Sequence, residues 1–155
     1  MRYPPRTPRP LRPCAALVLA AATALGWPAL VGADPTHFKV VVNEDCPATE
    51  LSREQVSRLF LGKASAWPDG TRAEPVDQPE GSAVREAFTQ AVHRRSLAAV
   101  KMLWQHAIFS GRGVPPPEVS GDAAVLAHVR SHPGGLGYVS AAAVPEGARV
   151  LQVKD

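Results

Sequence analysis

Four arginines followed by an uncharged apolar run open this chain, and together they decide how much of it is left to fold. Arg2, Arg6, Arg9 and Arg12 precede Cys14 to Leu25, a stretch built mostly of Ala, Leu and Val with no charge. A basic start, an apolar segment of about 7–15 residues and small side chains before a cleavage point define a secretory signal. Val31-Gly32-Ala33 supplies the small residues. Residues 1–33 are therefore read as a signal peptide and 34–155 as the folded domain, with Asp34 as the first mature residue and a periplasmic or secreted destination. The competing reading is an uncleaved anchor, because no charge falls between Pro13 and Ala33, close to the ~20 residues that span a bilayer. Gly26 and Pro28 interrupt that span.

Removing the signal changes the electrostatics. The whole chain carries 17 basic and 14 acidic residues, net +3, but the first 33 residues hold four of the basic ones and none of the acidic ones. What remains is slightly acidic. It has no basic stripe of the kind that holds nucleic acid or an anionic membrane surface. About 120 residues make one ordinary domain, large enough to bury a core without staples. Cys46 is the only cysteine beyond the signal, so no disulfide within the domain is expected. Glu44 and Asp45 beside it disfavour a thiolate, and it is read as buried and inert or as an exposed thiol open to pairing between molecules.

The pattern beyond residue 33 alternates strands and helices. Phe38 to Asn43 is a β-branched run that reads as a buried strand. Ser52 and Gln55 form a capping box, Leu51 and Val56 a hydrophobic staple, and Gly62 stops the helix that follows. A short strand is expected around Val76. A second helix starts at Ser82 with Val84, Ala87, Phe88, Ala91 and Val92 on its inner side. A third, from Ser96, carries Leu97, Val100, Leu103, Trp104, Ala107 and Ile108 at helical spacing. Gly111 to Pro117 cannot be regular structure. A fourth helix spans Asp122 to His132, and strands are expected over Leu136 to Ser140 and Arg149 to Val153.

Three blocks, in order, resemble the substrate-binding proteins of phosphate ABC importers. They are Leu51 to Trp67 with its Phe60-Leu61-Gly62-Lys63 run, Val76 to Phe88, and Ala123 to Val139 with its Pro133-Gly134-Gly135-Leu136-Gly137-Tyr138-Val139 close. The resemblance implies an α/β fold: a single lobe like one half of a type II periplasmic binding protein, with a mixed sheet flanked by about four helices. Members of that family are two-lobed clamps. The matching blocks are those of the second lobe, so a short, single-lobe relative is expected. The resemblance further implies a non-enzymatic solute-binding role without cofactor or metal, a small phosphate-like oxyanion as ligand, and an ABC permease or another periplasmic protein as partner. Nucleic acid and membrane insertion after signal cleavage are not expected.

In the family an arginine follows the strand and a Ser-Gly-Thr segment opens the helix, so that free helix amides and a bidentate guanidinium meet an anion. Here the matching positions hold Gln78 and Ser82-Ala83-Val84, after Glu80-Gly81. Gln78, Glu80, Gly81, Ser82 and Ala83 are the candidate ligand residues. The alternative is a plain helix start, with Glu80 on the positive end of the helix dipole, in an interaction or sensing module that binds no solute. Arg85 either assists the site or lies on the solvent face. Trp67 is read as a partner contact or as a packed anchor of its loop. His128 and His132 share a helix face but lack a third metal ligand. His93-Arg94-Arg95 reads as a solvated helix end, and Gly111-Arg112-Gly113 as a flexible connector or a mobile anion-holding loop. Catalytic motifs are missing from the sequence: neither a Ser-His-acid context nor a phosphate loop is present.

Overall fold

The structure, a computed structural model, describes residues 37–155. The signal-peptide reading and the Asp34 boundary fall outside these residues. Strand β1 (Phe38–Asn43) runs through the middle of a four-stranded sheet of order β3-β4-β1-β5, with β3 at Glu74–Pro75, β4 at Gly135–Ser140 and β5 at Ala148–Val150. β1 pairs antiparallel with both β4 and β5, whereas β3 joins β4 in parallel. The sheet is mixed, as the sequence suggests. Helices α1 (Arg53–Phe60), α2 (Ala83–Phe88), α3 (Leu97–Phe109) and α4 (Asp122–Ser131) complete it.

Strand alternation explains how this sheet is covered. Side chains on a strand point to opposite faces in turn, so Val40 and Val42 join one cluster with Phe60, Phe88, Leu136 and Tyr138. Val41 joins the other with Val76, Val125, Val129 and Val139. α1 and α2 therefore cover one face and α4 the other. Every side chain of β1 from Val40 to Asn43 is buried, as an unbroken β-branched run requires. At the end of the strand the Asn43 side-chain amide donates to the carbonyls of Val129, Arg130 and His132, at 2.9, 3.2 and 3.0 Å. These are carbonyls that the end of α4 leaves without helical partners.

Local signals hold where they are strongest. Ser52 caps α1, with both halves of the capping box formed. Ser82 and Ser96 cap α2 and α3 through the amides of Arg85 and Ala99. Gly62 takes a φ of +64° at the end of α1, and a Cβ there would lie 2.9 Å from Cη2 of Trp104. Gly137 is tighter still: its Cβ would come within 2.6 Å of Val125 Cγ1, so its bareness lets α4 lie flat on β4.

Four details differ from the sequence reading. The last strand is two: β5 leaves the main sheet after Val150, and β6 (Gln152–Lys154) pairs in parallel with β2 (Glu50–Ser52). Three-residue strands lie below what periodicity can register. α2 passes into a π-helical segment, Thr89–His93, ending at Arg94 in the left-handed region with φ 52°. That extra residue per turn carries Ala91 outward while Val92 stays buried. His93 is not a solvated end: it packs edge-on against Phe60 and Phe88 and shares a 2.8 Å hydrogen bond with Ser57 Oγ. In α3 only Val100 and Trp104 are buried, and Ile108 stands half exposed.

Burial, together with the charges of Arg95 and Arg85, lowers the pKa of His93 to about 4. A base depressed in the folded state gives stability that is present above its unfolded pKa of 6.5 and lost as pH falls through the folded value. Stability is expected to fall by up to about 3 kcal/mol between pH 6.5 and 4, a window of about 2.5 pKa units, and His93→Gln should flatten that part of the profile in melts at stepped pH. Gly137→Ala should cost about 1–3 kcal/mol through overpacking, whereas Gly81→Ala, with nothing within 4 Å of the new methyl, should stay within about 0.5 kcal/mol. Urea midpoints at unchanged slope would report both.

Candidate functional site

The turn between β3 and α2 brings the five candidate residues to one end of the sheet, but it does not present them alike. Gln78 is only 3% exposed. Its side-chain amide donates to the Tyr138 carbonyl at 3.1 Å, and its Oε1 accepts the Ser82 hydroxyl at 2.7 Å. Ser82 Oγ in turn accepts from the Arg85 amide at 3.3 Å, while the Ser82 amide donates to the Pro79 carbonyl at 2.9 Å. The hydrogen-bonding capacity of Gln78 and Ser82 is thus largely used inside the protein. Gly81 and Ala83 are exposed. Glu80 does not lie on the helix dipole alone: its carboxylate pairs with Lys101 on α3 at 3.0 Å.

The positive charge in this region comes from Arg85. It faces inward, 8% exposed, correcting the solvent-face alternative. Nη1 donates to the Gln78 carbonyl and to Glu118 Oε1, each at 2.5 Å, and Nη2 pairs with Asp77 Oδ2 at 3.2 Å. Asp77 also accepts the hydroxyl of Tyr138 and, at 2.8 Å, the amide of Gln78. Burial raises the pKa of the Asp77 carboxyl, against the opposing pull of Tyr138 and Arg85. Burial and the neighbouring Asp77 charge raise that of the Tyr138 phenol. Phe88 stacks on the Tyr138 ring with centroids 4.0 Å apart, which fixes the phenol from the other side. The backbone closes the same ring: the Asp77 amide donates to Pro117 and the Val119 amide to Asp77, both at 2.9 Å, so residues 117–119 run beside the strand end. One guanidinium therefore sits between two carboxylates, and the turn carries no surplus positive charge.

Sequence reasoning missed Asp77, Glu118 and Tyr138 as members of this network. A signal existed in Ser82, Arg85 and Phe88: spaced three apart, they share a helix face, and Phe88 is a core residue. Glu118 lies 33 residues from Arg85, beyond any local pattern. The remaining candidates resolve plainly. Trp67 is buried, and its indole donates to the Gly134 carbonyl at 3.2 Å. It anchors the loop and offers no partner contact. Cys46 is buried, and burial raises its thiol pKa. Arg112 folds back on the end of α3, with Nε 3.1 Å from Ser110 Oγ. His128 and His132 stack at 4.1 Å. Among the described residues no three His, Cys, Asp or Glu side chains are placed to hold a metal.

Solved structures share this α/β fold. A phosphate ABC transporter substrate-binding protein from Clostridium perfringens, solved with phosphate bound, matches 75% of this chain at TM-score 0.60 and 18% identity. An ABC-type phosphate transport receptor from Vibrio cholerae matches 75% at 0.59 and 18%, and PstS from Borrelia burgdorferi 76% at 0.59 and 10%. The chain spans less than half of each: 44, 45 and 47% of their lengths. The fold is thus that of part of a phosphate-transport substrate-binding protein. No protein-family model matches the sequence and no curated protein is similar to it.

Arg85→Met strips Asp77 of its ion-pair partner while the carboxylate stays buried, and should destabilise by about 3–5 kcal/mol. Glu118 is half exposed, so Glu118→Gln should cost no more than about 1 kcal/mol. Denaturant titration of the two variants side by side checks the ranking.

Proposed function

We propose that this is an exported, non-enzymatic protein that uses a solute-binding lobe as an interaction or sensing module, with its phosphate socket closed by internal bonds. Residues 1–33 serve as its export signal and 34–155 as the working domain. The carrying observation is the neutralised Arg85. Free charged donors strengthen an oxyanion site, because charge-assisted hydrogen bonds contribute about 1.5–3 kcal/mol each and neutral ones about 0.5–1.5. Here the guanidinium is committed to Asp77 and Glu118, and Gln78 and Ser82 to each other. The likeness to transport binding proteins rather than to enzymes supports the absence of catalysis. A partner would meet α3, where Met102 is 69% and Phe109 90% exposed. Another exported protein, or a permease, fits that surface.

One observation favours a second reading. Among the described residues the first-turn amides of Ala83 and Val84 have no acceptor at the start of α2, so a weak phosphate-like site at Gln78, Glu80, Gly81, Ser82 and Ala83 would retain two donors. Thermal unfolding with phosphate separates the two. A ligand at about 100 times its Kd adds about 2.7 kcal/mol, roughly 8 °C or more for a domain of this size. The interaction reading expects a change below about 1 °C at 10 mM phosphate. A rise of roughly 8 °C that disappears in Ser82→Ala would establish the solute-binding reading instead.

A further inference from the structure

A second cleft, of about 360 Å³, opens beside β3 and away from the α2 turn. Its volume is at the lower end of the range typical of small-molecule sites. Its apolar wall is Phe60, Trp104, Val114 and Pro116. Trp104 is held in place by the bare Gly62, and three successive prolines, Pro115 to Pro117, stiffen the opposite side. The wall is preformed, which lowers the ordering cost of binding.

Charge decides what such a wall could hold. Arg72 and Glu74 both line the cleft, two apart on extended chain and so on one side of it. Among the described residues neither belongs to an ion pair. The His128 imidazole also lines the cleft, close to Glu74. A bare oxyanion would meet Glu74 and gain nothing from the indole, and a hydrocarbon would desolvate both charges without compensation. A molecule with one carboxylate, one ammonium and an apolar side chain matches Arg72, Glu74 and the apolar wall together.

We propose that this cleft binds a free α-amino acid with a large apolar side chain, its carboxylate on Arg72, its ammonium on Glu74 and its side chain between Trp104 and the proline wall. The site shares no lining residue with the α2 turn, and it gives the sensing reading a solute of a different class.

Calorimetric titration of the purified protein with L-phenylalanine, 3-phenylpropionate and 2-phenylethylamine tests it, with Trp fluorescence as a second readout. L-Phenylalanine should bind with a Kd below about 1 mM. The two single-charge analogues should bind at least about tenfold more weakly, and Arg72→Ala and Glu74→Gln should each cost L-phenylalanine at least about tenfold. Ser82→Ala should change nothing, which separates this site from any phosphate site. Arg72 is exposed and Glu74 part-exposed, so both variants should fold. Val114→Asp, at a position 79% exposed, should abolish binding by charging the apolar mouth. Absence of binding at 10 mM, equal affinity for 3-phenylpropionate, or unchanged affinity in the Arg72 and Glu74 variants would each overturn the proposal.

Discussion

One buried guanidinium ties this end of the molecule together. Arg85 reaches from α2 to the end of β3 through Asp77 and the Gln78 carbonyl, and to the proline connector through Glu118. Three segments, one of them 33 residues away from Arg85, thus share one charge. Taking a guanidinium out of water costs several kcal/mol unless paired and hydrogen-bonded. Two carboxylates and a carbonyl offset that cost here. The Tyr138 hydroxyl on Asp77 and the Phe88 ring against Tyr138 extend the network into the apolar core.

That arrangement bears directly on what the fold can do. Anion recognition at a helix start depends on donors pointing at an empty place. In this protein the donors at the strand end point at the protein's own acceptors, and the acidic groups that neutralise Arg85 would oppose any incoming anion. The fold is like that of part of a phosphate-transport substrate-binding protein, and its one buried guanidinium is neutralised from within. Arg72 and Glu74, just before and within β3, line a different cleft and have no ion-pair partners among the described residues.

Much of the architecture was legible because it rests on local chemistry. Ser52 with Gln55, Ser82 and Ser96 announced three helix starts, and the β-branched run from Val40 to Val42 announced the central strand. The alternation of strands and helices followed from those signals, and the likeness to phosphate-binding proteins from the blocks Leu51 to Trp67, Val76 to Phe88 and Ala123 to Val139. What stayed hidden depends on distant partners. Trp67 is buried because Gly134 passes beneath its loop, and Arg85 turns inward because Glu118 and Asp77 meet it there. The π-helical turn at Thr89–His93 was equally unreadable, since it is set by the packing of His93 on Ser57, Phe60 and Phe88 rather than by composition.

Nitrogen-15 NMR of the Arg85 guanidinium puts the central claim to its most direct test. A group locked between Asp77 and Glu118 should give separate, slowly exchanging Nη signals near neutral pH, at positions unmoved by phosphate. A single averaged Nη signal, or one that shifts as phosphate is added, would mean that the charge is free to meet a ligand and would contradict the account.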